Sequence, residues 1–248
     1  MATTEILKTT NLQKSFSGII AAEDINITVK ESEIIGIIGA NGAGKTVFVN
    51  MITGYLKPTS GTIEFDNQDI TGIKPRDATH IGVCRSFQVS QVFMTMTVKE
   101  NLMVYGKLYS VGSIKNRIDY LAETLRLSEF INKKTGELSS GQKNRVSLAK
   151  AVVNDPDILL LDEPTASLDP ETGDFVRTFI EKISSEKKMS ILLASHNMNE
   201  VKRLCKSILM MKDGEIIDRG TPTEMIIKHG KKNLEEVFLK LNRVKNEL

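Results

Sequence analysis

The chain has 248 residues, enough to bury a substantial core and near the upper size of one domain, so one domain carrying a subdomain is expected. Lysine and arginine number 33 against 31 for aspartate and glutamate, and this net charge of +2 is too even for a surface dominated by nucleic-acid binding, so no nucleic-acid partner is expected. No apolar run approaches the roughly 20 residues that cross a bilayer, and the start Met-Ala-Thr-Thr-Glu lacks the basic and apolar regions of a secretory leader, so a cytosolic chain is expected.

Residues 6–12, 25–29 and 61–65 alternate and punctuate like antiparallel strands, the last set off by the turn Lys57-Pro58-Thr59-Ser60-Gly61. Phe16, flanked by Ser15 and Ser17, is oddly placed for a core aromatic; it reads either as ordinary packing or as a platform on which a nucleobase stacks. Between the second and third strands, the β-rich run Glu33-Ile34-Ile35-Gly36-Ile37-Ile38 leads into Gly39-Ala40-Asn41-Gly42-Ala43-Gly44-Lys45-Thr46. Val47, Phe48, Met51 and Ile52 follow at helical spacing. Strand, glycine loop and helix in that order match the phosphate-loop pattern G-x-x-x-x-G-K-[ST]. The glycines let backbone N–H groups converge on an anion, and the helix N-terminus adds partial positive charge. Lys45 is expected to reach the β- and γ-phosphates and the Thr46 hydroxyl to ligate Mg²⁺.

Residues 89–96, Val-Ser-Gln-Val-Phe-Met-Thr-Met, are apolar and Met-rich, and fit either a core strand or an adaptable docking surface. From 98 to 134 the period becomes helical, with Leu102, Tyr105 and Leu108 on one face and Ile118, Leu121, Leu125 and Leu127 on another. A further helix, marked by Val146, Ala149 and Val153, follows Ser139-Ser140-Gly141-Gln142 and stops at Asn154-Asp155-Pro156. Ile158, Leu159, Leu160 and Leu161 are apolar without alternation, which predicts a strand over 157–161 buried on both faces within a parallel sheet. That strand ends in Asp162-Glu163, two carboxylates where α/β sheets bind ligands; Asp162 is expected to hold Mg²⁺ and Glu163 to polarise a water. A helix at 171–185, a strand at 190–194, a helix from Met198, a hairpin of 208–211 with 215–217, a short helix from Pro222 and a last helix bearing Leu234, Val237, Phe238 and Leu241 complete the chain. Cys84 and Cys205 stand apart and read as core residues. The pairs Lys133-Lys134, Lys187-Lys188 and Lys231-Lys232 read as solvated faces.

With a phosphate loop before it and Leu160-Leu161-Asp162-Glu163-Pro164 after it, Leu138-Ser139-Ser140-Gly141-Gln142 closely resembles the LSGGQ signature of ATP-binding-cassette (ABC) ATPases. Gln88 in Arg85-Ser86-Phe87-Gln88 resembles that family's Q-loop glutamine, Ser167-Leu168-Asp169 its D-loop and His196 its switch histidine, so the resemblance covers nearly the whole chain. It implies an α/β P-loop NTPase with a mixed, mainly parallel core sheet, an N-terminal antiparallel β subdomain and a helical signature subdomain. Residues 1–97 and 155–220 would form the nucleotide-binding core, 98–154 the helical part and 221–248 the closing helices. It further implies ATP and Mg²⁺ as ligands, with Phe16 stacked on adenine and Gln88 beside Thr46 and Asp162 at the metal. Glu163 would be the base, His196 would hold the γ-phosphate and attacking water, and Asp169 would couple two sites. Two subunits, most simply a homodimer, would pack head to tail, with Ser139, Ser140, Gly141 and Gln142 of one closing the ATP site of the other. The 89–96 segment would receive a helix of an integral membrane permease, on whose cytoplasmic side the chain would sit.

The chain departs from the family pattern at Val47, where most relatives carry a second Ser or Thr, and at Ser140, where the signature has glycine. Tyr105-Gly106-Lys107-Leu108-Tyr109 and Asn233-Leu234-Glu235-Glu236-Val237-Phe238-Leu239 look most like multidrug, sodium and polysaccharide efflux ATPases, and export is expected. Arg85-Ser86-Phe87-Gln88 looks like the branched-chain amino-acid importer ATPases, and non-transport cassettes acting on ribosome or DNA are a further alternative.

Overall fold

The computed structural model describes residues 4–86, 92–166 and 168–243. The first half of the chain supplies β1 (Glu5–Phe16), β2 (Ile19–Lys30), β3 (Ile34–Gly39), α1 (Lys45–Ile52), β4 (Ser60–Phe65), β5 (Gln68–Asp69), α2 (Pro75–His80), β6 (Val83–Arg85), α3 (Val98–Leu108) and α4 (Ile114–Thr124). The second half supplies α5 (Ser140–Ala151), β7 (Ile158–Asp162), α6 (Pro170–Lys187), β8 (Ser190–Ala194), α7 (Met198–Leu204), β9 (Ser207–Lys212), β10 (Glu215–Gly220), α8 (Pro222–His229) and α9 (Leu234–Arg243).

The strands form two sheets, an antiparallel one in the order β2-β1-β4-β5 and a central one in the order β10-β9-β3-β8-β7-β6. In the central sheet all pairings are parallel except β10 with β9. The apolar runs of its strands make physical sense once both faces are followed. Ile34 and Ile38 of β3, Leu159 and Leu161 of β7, Ile191 and Leu193 of β8, and Ile208 and Met210 of β9 enter a core shared with the helices α3 to α9. Their alternates Ile35, Ile37, Ile158, Leu160, Leu192, Leu209 and Met211 enter a second core with α1 and the antiparallel sheet. Period-two geometry sends neighbours to opposite faces, and both faces are covered, so the strand interiors are apolar on both sides.

Differences from the sequence reading are local. β1 and β2 run longer than 6–12 and 25–29 because their pairing passes through bulges to a tight turn at Ser17-Gly18, where both residues have positive φ (47° and 88°), as a two-residue hairpin loop demands. β5 and β6, two and three residues long, are too short to display a period. Leu108 does not join the inward face of α3 but is 51% exposed; Val98, Asn101, Leu102 and Gly106 are the buried positions. Leu125 and Leu127 follow the end of α4 and are fully buried. Of the 89–96 segment, residues 89–91 lie outside the described residues. The remainder is not strand: Phe93 and Met94 are about half exposed, and buried Asn101 holds this stretch by accepting from the Phe93 N–H (2.8 Å) and donating to the carbonyls of Phe93 and Thr97 (both 3.0 Å).

Both cysteines are buried and reduced, and burial pushes the Cys84 thiol up to about 11 and that of Cys205 higher still, so neither is a nucleophile. A crevice of about 150 Å³ runs between the β6 end and helices α3 and α5, lined by Tyr105, Tyr109, Lys150 and Arg85 among others. Lys150 is only 5% exposed, its Nζ stands 4.7 Å from the Tyr105 ring centroid, and burial pushes its ammonium down to about 8.

The Lys150 shift predicts a pH-dependent stability difference. The unfolded lysine keeps its proton up to roughly pH 10.4, so the desolvation cost is carried in full below about 8 and relieved as pH rises between these values. Lys150→Met should therefore be more stable than the wild type at pH 7 by about 1–3 kcal/mol, an advantage that shrinks toward pH 10. Urea unfolding of both proteins at a series of pH values checks this.

Candidate nucleotide site

β3 delivers the chain to the glycine loop, and α1 starts directly behind it with Lys45 and Thr46 as its first residues. Gly44 sits at φ +98°, and a Cβ there would stand 2.7 Å from the Ala21 carbonyl oxygen, so both the backbone turn and the approach of β2 require glycine. The loop opens onto a cleft of about 620 Å³ lined by Gly39, Ala40, Asn41, Gly42, Ala43, Gly44, Lys45, Thr46 and Val47 together with Asp162, Glu163 and His196. Residues far apart in sequence thus meet at the C-terminal edge of β3 and β7 and just beyond β8.

Lys45 Nζ donates to the carbonyls of Gly39 (2.5 Å) and Ala40 (3.1 Å), which holds the ammonium over the loop. Burial lowers its pKa, opposed by the nearby Glu163 and Asp162 carboxylates. Val47 packs partly into the second core, consistent with an apolar residue where a hydroxyl is usual.

Glu163 follows β7 with φ +52°, a left-handed conformation that costs a non-glycine residue about 1–3 kcal/mol. Its N–H donates to the Ala194 carbonyl (2.9 Å), and its Oε1 lies 2.6 Å from His196 Nδ1 and accepts from the His196 N–H at 3.1 Å. Glu163 is 14% exposed and His196 72%, so the pair faces the cleft with the histidine outermost. Behind it, buried Glu200 accepts from the Thr165 hydroxyl (2.7 Å) and the Ser195 hydroxyl (2.6 Å), tying the loop after β7 to the loop after β8. Asp162 is paired with Arg85 at 2.8 Å.

The remaining expected residues lie elsewhere. Ser139 is the N-cap of α5, its hydroxyl accepting from the Gln142 N–H (3.3 Å) while Gln142 Oε1 accepts from the Ser139 N–H (3.0 Å). Ser140 is exposed, and a Cβ on Gly141 would stand 3.3 Å from Thr172 Cγ2. Asp169 caps α6 by accepting from the Thr172 N–H (2.9 Å), so the 139–142 and 169 regions meet each other and do not line the cleft. Those cap bonds hold the Asp169 carboxyl below the usual range. Phe16 ends β1, 43% exposed with Lys14 Nζ 5.0 Å from its ring centroid, and is not among the cleft-lining residues, although Ala21 on the adjoining strand is. Gln88 and Ser167 lie outside the described residues.

Sequence reasoning missed Phe238, which lines the cleft from α9. Its helical spacing with Leu234 and Leu241 was visible, but which face met the loop was not. Glu200 and Arg85 were missed as well, since a lone charged residue in a helix or at a strand end carries no pattern.

A glycine loop with an invariant-type lysine, an Asp-Glu strand end and a histidine around one cleft defines a P-loop nucleoside-triphosphatase. The family described as "ABC transporter" matches residues 22–166. The chain is 36% identical over 221 residues to the ABC transporter ATP-binding protein NatA of Bacillus subtilis (88% of this chain, 89% of that protein). It is 33% identical over 237 residues to the high-affinity branched-chain amino acid transport ATP-binding protein BraF of Pseudomonas aeruginosa (89% and 93%). Its fold superposes on the dimeric post-hydrolysis structure of an ATP-binding cassette bound to ADP and Pi with a TM-score of 0.79 at 28% identity (87% and 98%). The chain belongs to the ABC transporter family, as an ATP-binding subunit that hydrolyses ATP. Subunits of this family work as dimers with membrane permease partners. Among the described residues no helix is long and apolar enough to cross a membrane.

Glu200→Ala should leave the Thr165 and Ser195 hydroxyls without their buried acceptor and loosen the loops after β7 and β8 that line the cleft. A roughly ten- to hundredfold fall in kcat with nucleotide affinity within about threefold is expected from steady-state ATPase and fluorescent-nucleotide titrations.

Proposed function

We propose that this chain dimerises on ATP and uses Glu163 as the base that polarises the attacking water, with His196 orienting it against the γ-phosphate. The observation that carries this reading is the 2.6 Å contact between Glu163 and His196 at the edge of the glycine-loop cleft. Lys45 and the loop N–H groups bind the phosphates. Thr46 and Asp162, one hydroxyl and one carboxylate lining the same cleft, fit a hard cation that prefers oxygen ligands, and Gln88 would complete the set. Mg²⁺ held there supplies charge neutralisation at the β- and γ-phosphates.

Two observations support the composite site. The 139–142 helix end and Asp169 adjoin one another outside the chain's own cleft, and a similar cassette is described as a dimer with ADP and Pi. A homodimer is the simplest assembly, since every expected motif occurs in this one chain. The permease would dock near Phe93 and Met94, whose half-exposed apolar side chains stand beside α3. We carry export as the direction, on the resemblance of 105–109 and 233–239 to efflux ATPases. The import alternative is favoured by the 33% identity to BraF.

Glu163→Gln should bind ATP yet turn over at least about a hundredfold more slowly, and accumulate as a dimer with Mg-ATP. Size-exclusion chromatography with light scattering reads this, and a monomer at saturating Mg-ATP would count heavily against the reading. Copurification of the permease from native membranes, followed by ATP-driven transport in oriented vesicles, separates export from import.

A further inference from the structure

The metal ligands expected in this cleft come from two different elements. Thr46 is on the first turn of α1, and Asp162 ends β7. Neither element alone fixes their separation: β7 is joined to β3, the strand before α1, through β8. A third side chain bridges them. Arg85, the last residue of β6, donates through Nη2 to Asp162 Oδ2 at 2.8 Å and through Nη1 to Asn50 Oδ1. Asn50 lies four residues after Thr46 on α1, one turn along the same face. The Arg85 side chain is 6% exposed and that of Asp162 13%, so the bridge is mostly buried at the edge of the cleft. β6 is itself held to β7 by parallel pairing of Arg85 with Leu160 and by the Ser86 N–H to the Leu160 carbonyl at 2.9 Å.

A buried cation beside a metal-binding carboxylate competes with the metal for its charge, and an apolar residue of similar volume would often stabilise the fold as well. What guanidinium adds is geometry: a rigid planar fork that can hold two acceptors on two elements at a set spacing, which lysine cannot do. The fork bonds a single Asp162 oxygen, Oδ2.

We propose that Arg85 is a positioning residue for the metal site, a strut that fixes the distance between the α1 turn carrying Thr46 and the β7 end carrying Asp162. It rests on the reading of Thr46 and Asp162 as metal ligands given under Proposed function. Outer partners that orient metal ligands carry about 10- to 100-fold of metal affinity, and this is the scale expected here.

The test separates metal affinity from nucleotide affinity. Mn²⁺ binding to the protein–ADP complex is measured by electron paramagnetic resonance, and fluorescent ADP affinity is measured in EDTA. Asn50→Ala cuts one arm of the strut while leaving the Arg85–Asp162 charges in place, and Arg85→Lys keeps the charge but loses the fork. Both should weaken Mn²⁺ binding to the ADP complex about tenfold, with ADP affinity in EDTA and the melting temperature in EDTA for Asn50→Ala near wild type. Wild-type Mn²⁺ affinity in Asn50→Ala would overturn the proposal, as would parallel loss of metal-free ADP binding. If wild-type protein with bound ADP takes up no Mn²⁺, it is the metal assignment itself that fails, which distinguishes the two.

Discussion

The site depends on three neighbouring parallel strands ending at one edge. β3, β8 and β7 pair so that Ile37 lies opposite Ala194 and Ala194 opposite Asp162, which puts the start of the glycine loop, the approach to His196 and the acid pair within adjacent strand spacings. The register is locked because a one-residue slip would exchange the two buried faces of every strand, and each face is matched to a different core. The geometry of the cleft is therefore inherited from hydrophobic packing. The strain in Glu163 is tolerated for the same reason, since its N–H is fixed to Ala194 in the next strand and its carboxylate to His196, two residues further on.

How much of this could be read beforehand followed from how many residues carried each signal. The glycine loop, the unbroken apolar strand before Asp162 and the strand at 190–194 each involve several residues constrained by one geometry, and β8 falls at those limits. β6 could not be read: three residues hold no period, yet it places Arg85. Leu108 was misassigned because α3 buries a small polar stripe, with Asn101 inside and Gly106 set against Ile114, where an apolar-face rule looks for large residues. Phe238 and Glu200 were invisible as site residues because their relevance arises only when α9 and α7 are docked.

The charges of the region fall into two layers. Facing the cleft, Lys45 is opposed by Asp162 and Glu163, and Glu163 is itself shared with His196. Behind it, Arg85 bonds Asp162 on one side and lines the crevice beside Lys150 and Tyr109 on the other. One side chain, mostly buried and bonded to two elements, thus stands between the crevice and the cleft.

The α5 end poses a different balance. Its Ser139 hydroxyl and Gln142 side chain are spent on a closed capping box, worth about 1 kcal/mol to the helix. An anion at this end would meet the first-turn N–H groups of Ser140 and Gly141, which have no intrahelical acceptor. To use the hydroxyl as well it must turn Ser139 away from the Gln142 N–H, at a cost near the value of the cap. Phosphate, with its larger charge, offsets that cost where a neutral ligand would not, since charge-assisted bonds are roughly twice as strong as neutral ones. The box also keeps the helix end ordered between encounters, so little conformational entropy remains to be lost on closure. A serine at position 140 is compatible with this arrangement because its side chain is exposed, whereas a Cβ on Gly141 would stand 3.3 Å from Thr172 Cγ2 and Thr172 would have to give way slightly, on α6, the helix that Asp169 caps.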